Sequence, residues 1–169
     1  LVGSEMCIRD SNYTASTRLI LKQCGLSDED IDNRLIKVHG EASNNDIIFG
    51  VEDNAGIKKE HVFLRKAYNI KYKALNFSEL YDRIKSVAIF GHSLGETDHT
   101  YFNKLFQESC MYNKFSTNNN KEFWLFYYKE NDYHCMMQQL DSLTHNSLTS
   151  FRQYNRVNFI NTDKEKVFI

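Results

Sequence analysis

The 169-residue chain contains no proline. That excludes proline-rich linkers and polyproline recognition segments, which depend on the fixed φ of the pyrrolidine ring. Taken with the abundance of Asn, Lys, Ile, Tyr and Phe, the absence matches the codon usage of an AT-rich genome and says little about function. Cysteine is scarce: Cys7, Cys24, Cys110 and Cys135 are the four, and no two stand in C-x-x-C spacing. A disulfide framework and a zinc site are therefore not expected, and the pattern suits idle thiols in a reducing cytoplasm. No apolar run approaches the ~18 residues of a membrane-spanning helix. The expectation is a soluble, cytoplasmic chain with no membrane partner. A charge excess is missing too, with 21 Lys and Arg against 22 Asp and Glu, so the totals imply no nucleic-acid surface. There is no internal repeat, and the low-complexity stretch Ser116–Asn120 reads as a surface loop.

What is present begins with an oddity. Glu5-Met6-Cys7-Ile8-Arg9-Asp10-Ser11 is what GAGATGTGTATAAGAGACAG plus one pyrimidine encodes, a string that resembles the transposon-end adapter of sequencing libraries. Residues 1–11 are read as adapter-derived and expected to have no packing role; the alternative is a genuine N-terminus starting at Met6. Residues 12–169 are then the C-terminal part of one α/β domain whose N-terminal part lies upstream. A chain of ~150 residues buries roughly 70% of its unfolded surface, enough for one core.

Elements alternate along it. Thr14 is placed to cap a helix over Ala15–Cys24, with Gly25 in the stop position. Leu35–His39 and Asp46–Phe49 are short β-type runs around a polar turn. Val62–Lys85 is helical in propensity, broken near Asn76. Ser86–Phe90 reads as a strand, and Thr97 or Asp98 caps an amphipathic helix with Tyr101, Phe102, Leu105, Phe106 and Cys110 on one side. Glu122–Tyr128 is nearly continuous apolar and aromatic, which suits a strand buried on both faces. Helices over Tyr133–Leu143 and Leu148–Tyr154 and a closing strand Val157–Ile160 complete the pattern. The fold class expected is α/β, Rossmann-like, with a mostly parallel sheet and helices on both faces.

The most informative segment is Phe90–Asp98, a small-residue turn where a strand hands over to a helix. Gly91-His92-Ser93-Leu94-Gly95 fits the Gly-x-Ser-x-Gly nucleophile elbow of α/β-hydrolases. Against that, the helix starts several residues too late. The downstream acid and His can be filled only by close pairs such as Asp132 with His134 or Asp141 with His145, which are not the separate loops a triad uses. His92, His99, His134 and His145 read as surface or packing residues, with no metal-ligand spacing.

Asn12-Tyr13-Thr14, Lys37-Val38-His39-Gly40 with Ile47-Ile48-Phe49-Gly50, and Ile89–Leu94 with Asp98 and Tyr101-Phe102 resemble the C-terminal half of the AbiH family, bacterial proteins linked to abortive infection against bacteriophage. That family is in turn similar to sirtuin-like nucleotide-binding domains, in which such motifs follow successive strands at their carboxyl ends. The resemblance implies NAD as substrate or ligand and no metal. It implies Asn12 at a nicotinamide and ribose pocket and His39 as a base near ribose hydroxyls, both catalytic, and Gly40, Gly91, Ser93 and Asp98 as cofactor-binding. An amide that donates and accepts, an imidazole that titrates near neutrality, and a turn rich in N–H groups suit those tasks. Thr14 departs from the sirtuin pattern, where an Asp is usual, and the four-Cys zinc ribbon is missing, which argues against protein deacetylation. The pyrophosphate loop is expected upstream.

Three readings stand at this point. One is an abortive-infection protein that binds or cleaves NAD or a related nucleotide. The second is a serine hydrolase using Ser93, and the third a non-enzymatic component that senses a nucleotide or a phage product. The phage trigger and the oligomeric state are left open.

Overall fold

The computed structural model describes residues 7–11, 14–48, 50–51, 55–69, 81, 84–111 and 120–164. Asn12, Phe49, the 70–80 part of the expected helical stretch and most of the Ser116–Asn120 loop lie outside these. The chain divides into two compact units, 1–75 and 76–169.

In the first unit, β1 (Ile8–Asp10) and β2 (Leu35–Lys37) form a parallel pair with Ile8 opposite Leu35 and Asp10 opposite Lys37. Two helices make the crossover, α1 (Ser16–Gln23) and α2 (Asp28–Arg34). Gly25, at φ +87°, ends α1 as expected. Its N–H donates to Lys22 O and that of Leu26 to Leu21 O, so two of the last carbonyls of the helix are satisfied. Thr14 does not cap the backbone; its hydroxyl bonds that of Ser16 instead. Sequence reasoning missed α2, although Ser27-Asp28-Glu29-Asp30 is a start signal: the Ser27 hydroxyl accepts from the Asp30 N–H at 3.1 Å and acids fill the first turn.

Ile8–Asp10 does pack, contrary to expectation. The pairing is made by backbone groups, with the Val38 N–H donating to Asp10 O at 3.0 Å, and such bonds ask for length and register rather than particular side chains. Two further expectations are corrected in this unit. Asp46–Ile48 is not a strand, and the residues before Asn69 form 3₁₀ turns, Lys59–Leu64 and Lys66–Tyr68, rather than an α-helix. A parallel bridge between Val51 and Arg65 draws that segment back on itself. Backbone pairing there outweighs helical propensity.

The second unit is a three-stranded parallel sheet in the order β3 (Ser86–Ile89), β4 (Glu122–Tyr127), β5 (Arg156–Asn161). Its helices are α3 (His99–Ser109), α4 (Glu130–Leu143) and α5 (Leu148–Tyr154). The α/β reading thus holds, as parallel sheets flanked by helices. Register places Val87, Phe123 and Val157 in one row and Ile89, Leu125 and Phe159 in another, and these rows meet Leu105, Phe106, Met136, Leu140, Leu143 and Phe151 in one core. The rings of Phe106, Phe123 and Phe151 lie 4.8 to 5.6 Å apart, centroid to centroid. β4 is not buried on both faces: Phe123 and Leu125 are fully buried, whereas Trp124 and Phe126 are half-buried, as the two-residue period of a strand dictates when one face meets the helices.

Two buried polar side chains tie this unit together. Asn155 accepts the Lys121 N–H and donates to Ser109 O at 2.7 Å and Phe151 O at 2.8 Å, joining the ends of α3 and α5 to the start of β4. The Lys121 ammonium is buried against Tyr81 O and Ile84 O at 2.6 and 2.8 Å.

Candidate functional site

In a parallel sheet all carboxyl ends lie along one edge, where α/β proteins hold ligands. Each unit ends a strand there in a glycine turn that carries candidate residues. Asn12 lies outside the described residues.

In the first unit β2 runs into Val38-His39-Gly40-Glu41. The Lys37 ammonium sits among the Asp10 carboxylate at 2.7 Å, the Glu41 carboxylate at 3.5 Å and the Thr14 carbonyl. His39 is buried, and its carbonyl accepts from the Ile48 N–H at 2.9 Å. Gly40 has φ +73°, and a β-carbon there would stand 2.2 Å from the Asp46 carbonyl oxygen. Only glycine fits, for conformation and for space. Asp46 closes the turn from its other side, accepting the Glu41 N–H at 2.7 Å. His39 is therefore an imidazole fixed on an ordered turn just past a strand end.

In the second unit β3 ends at Ile89 and the chain turns through Gly91 (φ +65°) and Leu94 (φ +55°) into a 3₁₀ turn, Glu96–Asp98, before α3. Gly91, Ser93 and Asp98 share this turn, and Ser93 is exposed. Leu94 is fully buried despite its left-handed backbone. Its N–H donates to His92 Nδ1 at 2.9 Å, and its carbonyl lies 3.1 Å from His99 Nε2. His92 Nε2 stands 3.2 Å from Asp98 Oδ2, and the His92 ring meets Phe102 edge-on at 5.3 Å. His99 Nε2 is also 2.8 Å from Gln139 Oε1 on α4.

These contacts bear on the chemistry available. Strain in a nucleophile elbow sits on the serine, whereas here the positive φ values belong to Gly91 and Leu94, and α3 begins six residues after Ser93. Both nearby imidazoles are engaged with Leu94. The turn presents a hydroxyl from a rigid frame. Sequence reasoning assigned His92 and His99 only to surface or packing. A usable signal was present: a side-chain acceptor two residues before a backbone N–H is the arrangement of an Asx turn, and His Nδ1 can play the part of the Asn oxygen. His134 lies 3.9 Å from Glu130 on its own helix and His145 bonds Gln107.

Among the described residues no three His, Cys, Asp or Glu side chains are grouped to hold a metal ion, and no helix is long and apolar enough to cross a membrane. No curated protein and no solved structure matches the chain. The profile of the family described as bacteriophage abortive infection AbiH matches residues 4–127, which covers both glycine turns and β1 to β4. The chain belongs to the AbiH family.

Proposed function

We propose that the chain is part of a cytoplasmic abortive-infection protein that binds NAD or a related nucleotide and cleaves its N-glycosidic bond. Membership of the AbiH family supports the defence role. The nucleotide reading rests on the Gly91–Leu94 turn at the carboxyl end of β3, where Ser93 is exposed beside a backbone fixed at left-handed φ. Hydroxyl and N–H donors on a rigid turn are the groups that recognise ribose and phosphate oxygens.

In this reading the ligand-binding groups of the second unit are Ser93 and the Gly91 backbone, with Asp98 supporting the turn or a ribose hydroxyl, and that of the first unit is the Gly40 backbone. Asn12 holds the carboxamide or orients water, and His39 acts as the base.

The test uses the full-length protein and NAD as substrate. His39→Ala should lower cleavage by roughly 10²–10⁴-fold with the fold intact, the usual contribution of a general base, and Asn12→Ala should do comparable damage. Ser93→Ala should weaken binding and leave a measurable rate. Labelling of Ser93 by a fluorophosphonate, together with indifference to His39→Ala, would replace this mechanism with serine hydrolysis.

A further inference from the structure

Among the described residues Leu94 is the one aliphatic side chain at positive φ. A bulky, branched side chain rarely accepts φ near +55°, because its Cβ crowds the following carbonyl, and such a residue persists only when its surroundings hold it. Three contacts do so: its side chain is fully buried in the core, its N–H meets His92 Nδ1, and its carbonyl meets His99 Nε2. The two histidines grip the peptide groups on either side of the strained residue. Ser93, between His92 and Leu94, is exposed.

We infer that His92 and His99 are positioning residues that fix Ser93 as the outward-facing hydroxyl of the turn. The contacts also assign the protons. An N–H can only donate, so His92 Nδ1 is the bare nitrogen and the ring proton resides on Nε2, facing Asp98 Oδ2 at 3.2 Å. A carbonyl can only accept, so His99 carries its proton on Nε2, directed at Leu94 O and Gln139 Oε1. Asp98 then acts through His92, holding the tautomer that leaves Nδ1 open to Leu94. Carboxylates that accept the N–H of a metal-binding imidazole fix its tautomer in the same way. That the presented hydroxyl meets a nucleotide rests on the reading above; the clasp itself does not.

The ¹⁵N spectrum of the histidine rings in the 169-residue chain, taken at pH 8 where ordinary imidazole is neutral, reads the clasp directly. His92 should show a bare Nδ1 and a protonated Nε2, and the opposite tautomer would overturn the inference. Two variants separate the two halves of the ring. His92→Asn keeps an acceptor for the N–H two residues on and gives up Asp98, whereas His92→Gln keeps a donor that reaches Asp98 and gives up the turn bond. Exchange of the Leu94 amide should quicken about fivefold in His92→Gln, the loss of one ordinary hydrogen bond, and stay within about twofold of wild type in His92→Asn. Equal effects in both variants would reduce His92 to packing. Titration with NAD adds an independent arm: the Ser93 amide should shift in the wild type and respond about fivefold more weakly in His92→Gln. A wild-type chain with the expected tautomer and exchange but no NAD response would sink the nucleotide reading and leave the clasp standing.

Discussion

Gly40 and Gly91 both adopt left-handed backbone, at φ +73° and +65°, yet their surroundings differ. A methyl group at Gly40 would stand 2.2 Å from the Asp46 backbone carbonyl oxygen, whereas one at Gly91 meets nothing within 4 Å. Gly91→Ala should therefore cost only the conformational term, about 1–2 kcal/mol. Gly40→Ala adds a steric clash and should cost about 3 kcal/mol or more, a ranking that urea denaturation of the two variants can check. Equal losses would mean that the turn around Gly40 gives way more easily than its contacts imply. Cysteine supplies a second test at this scale. Burial pushes the Cys110 thiol above its ordinary value of 9.0, and its Sγ rests on Phe106 O at 3.2 Å, while Cys24 and Cys135 are exposed. Because the thiolate is the reactive form, iodoacetamide at pH 8 should modify Cys24 and Cys135 well before Cys110, as mass spectrometry of timed samples would show.

Elements hold together through a few polar ties as well as through the aromatic core. Asn155→Asp keeps the shape and the acceptor but removes the donors to Ser109 O and Phe151 O and brings a carboxylate to those carbonyls. The expected loss is about 3 kcal/mol or more, comparable with the 3–5 kcal/mol expected of Phe123→Ala in the ring cluster; thermal melts of the two variants compare them. The α1–α2 pair is held differently, by surface charges. Asp28 has its carboxyl lowered below the ordinary 3.8 by the hydrogen bond from Lys22, then by the charges of Lys22 and Arg18. That support is present above the ordinary value and is lost as pH falls through the lowered one. Since Asp28 is exposed, Asp28→Asn should change stability little at pH 7 and flatten only the acid end of the profile.

The elements legible in the sequence were those with strong periodicity and many partners. Ser86–Phe90, the helix from residue 99, Leu148–Tyr154 and the strand at Glu122 carry their own pattern. So does β2, which falls inside the expected run Leu35–His39, whereas β1 and the 3₁₀ turns at 59–68 do not, because a few backbone bonds to distant partners decide them. Of the candidate site, Gly40 and Gly91 were readable from the demand of a turn for positive φ. The clasp of His92 and His99 was not, since it depends on a left-handed Leu94 that no propensity suggests.

At the scale of the whole molecule, the two units are unequal. Among the described residues the first buries the apolar side chains Ile31, Val38 and Ile48, whereas the second buries eleven, from Ile89 to Phe151. Apolar burial is the main stabilising term, so hydrogen exchange should show β1, β2 and their helices opening at lower free energy than β3, β4 and β5. Matching protection in both would contradict that order. Both strand-end turns belong to the part that matches the AbiH family, and the role proposed for such turns is to meet a nucleotide. The most direct measurement is an amide NMR titration of the chain with NAD carried into the millimolar range, where binding is worth only about 4 kcal/mol. Saturable shifts are expected at Gly91 and Ser93 in the second unit and at His39 and Gly40 in the first. Spectra that stay unchanged at those residues throughout the titration would overturn the nucleotide reading.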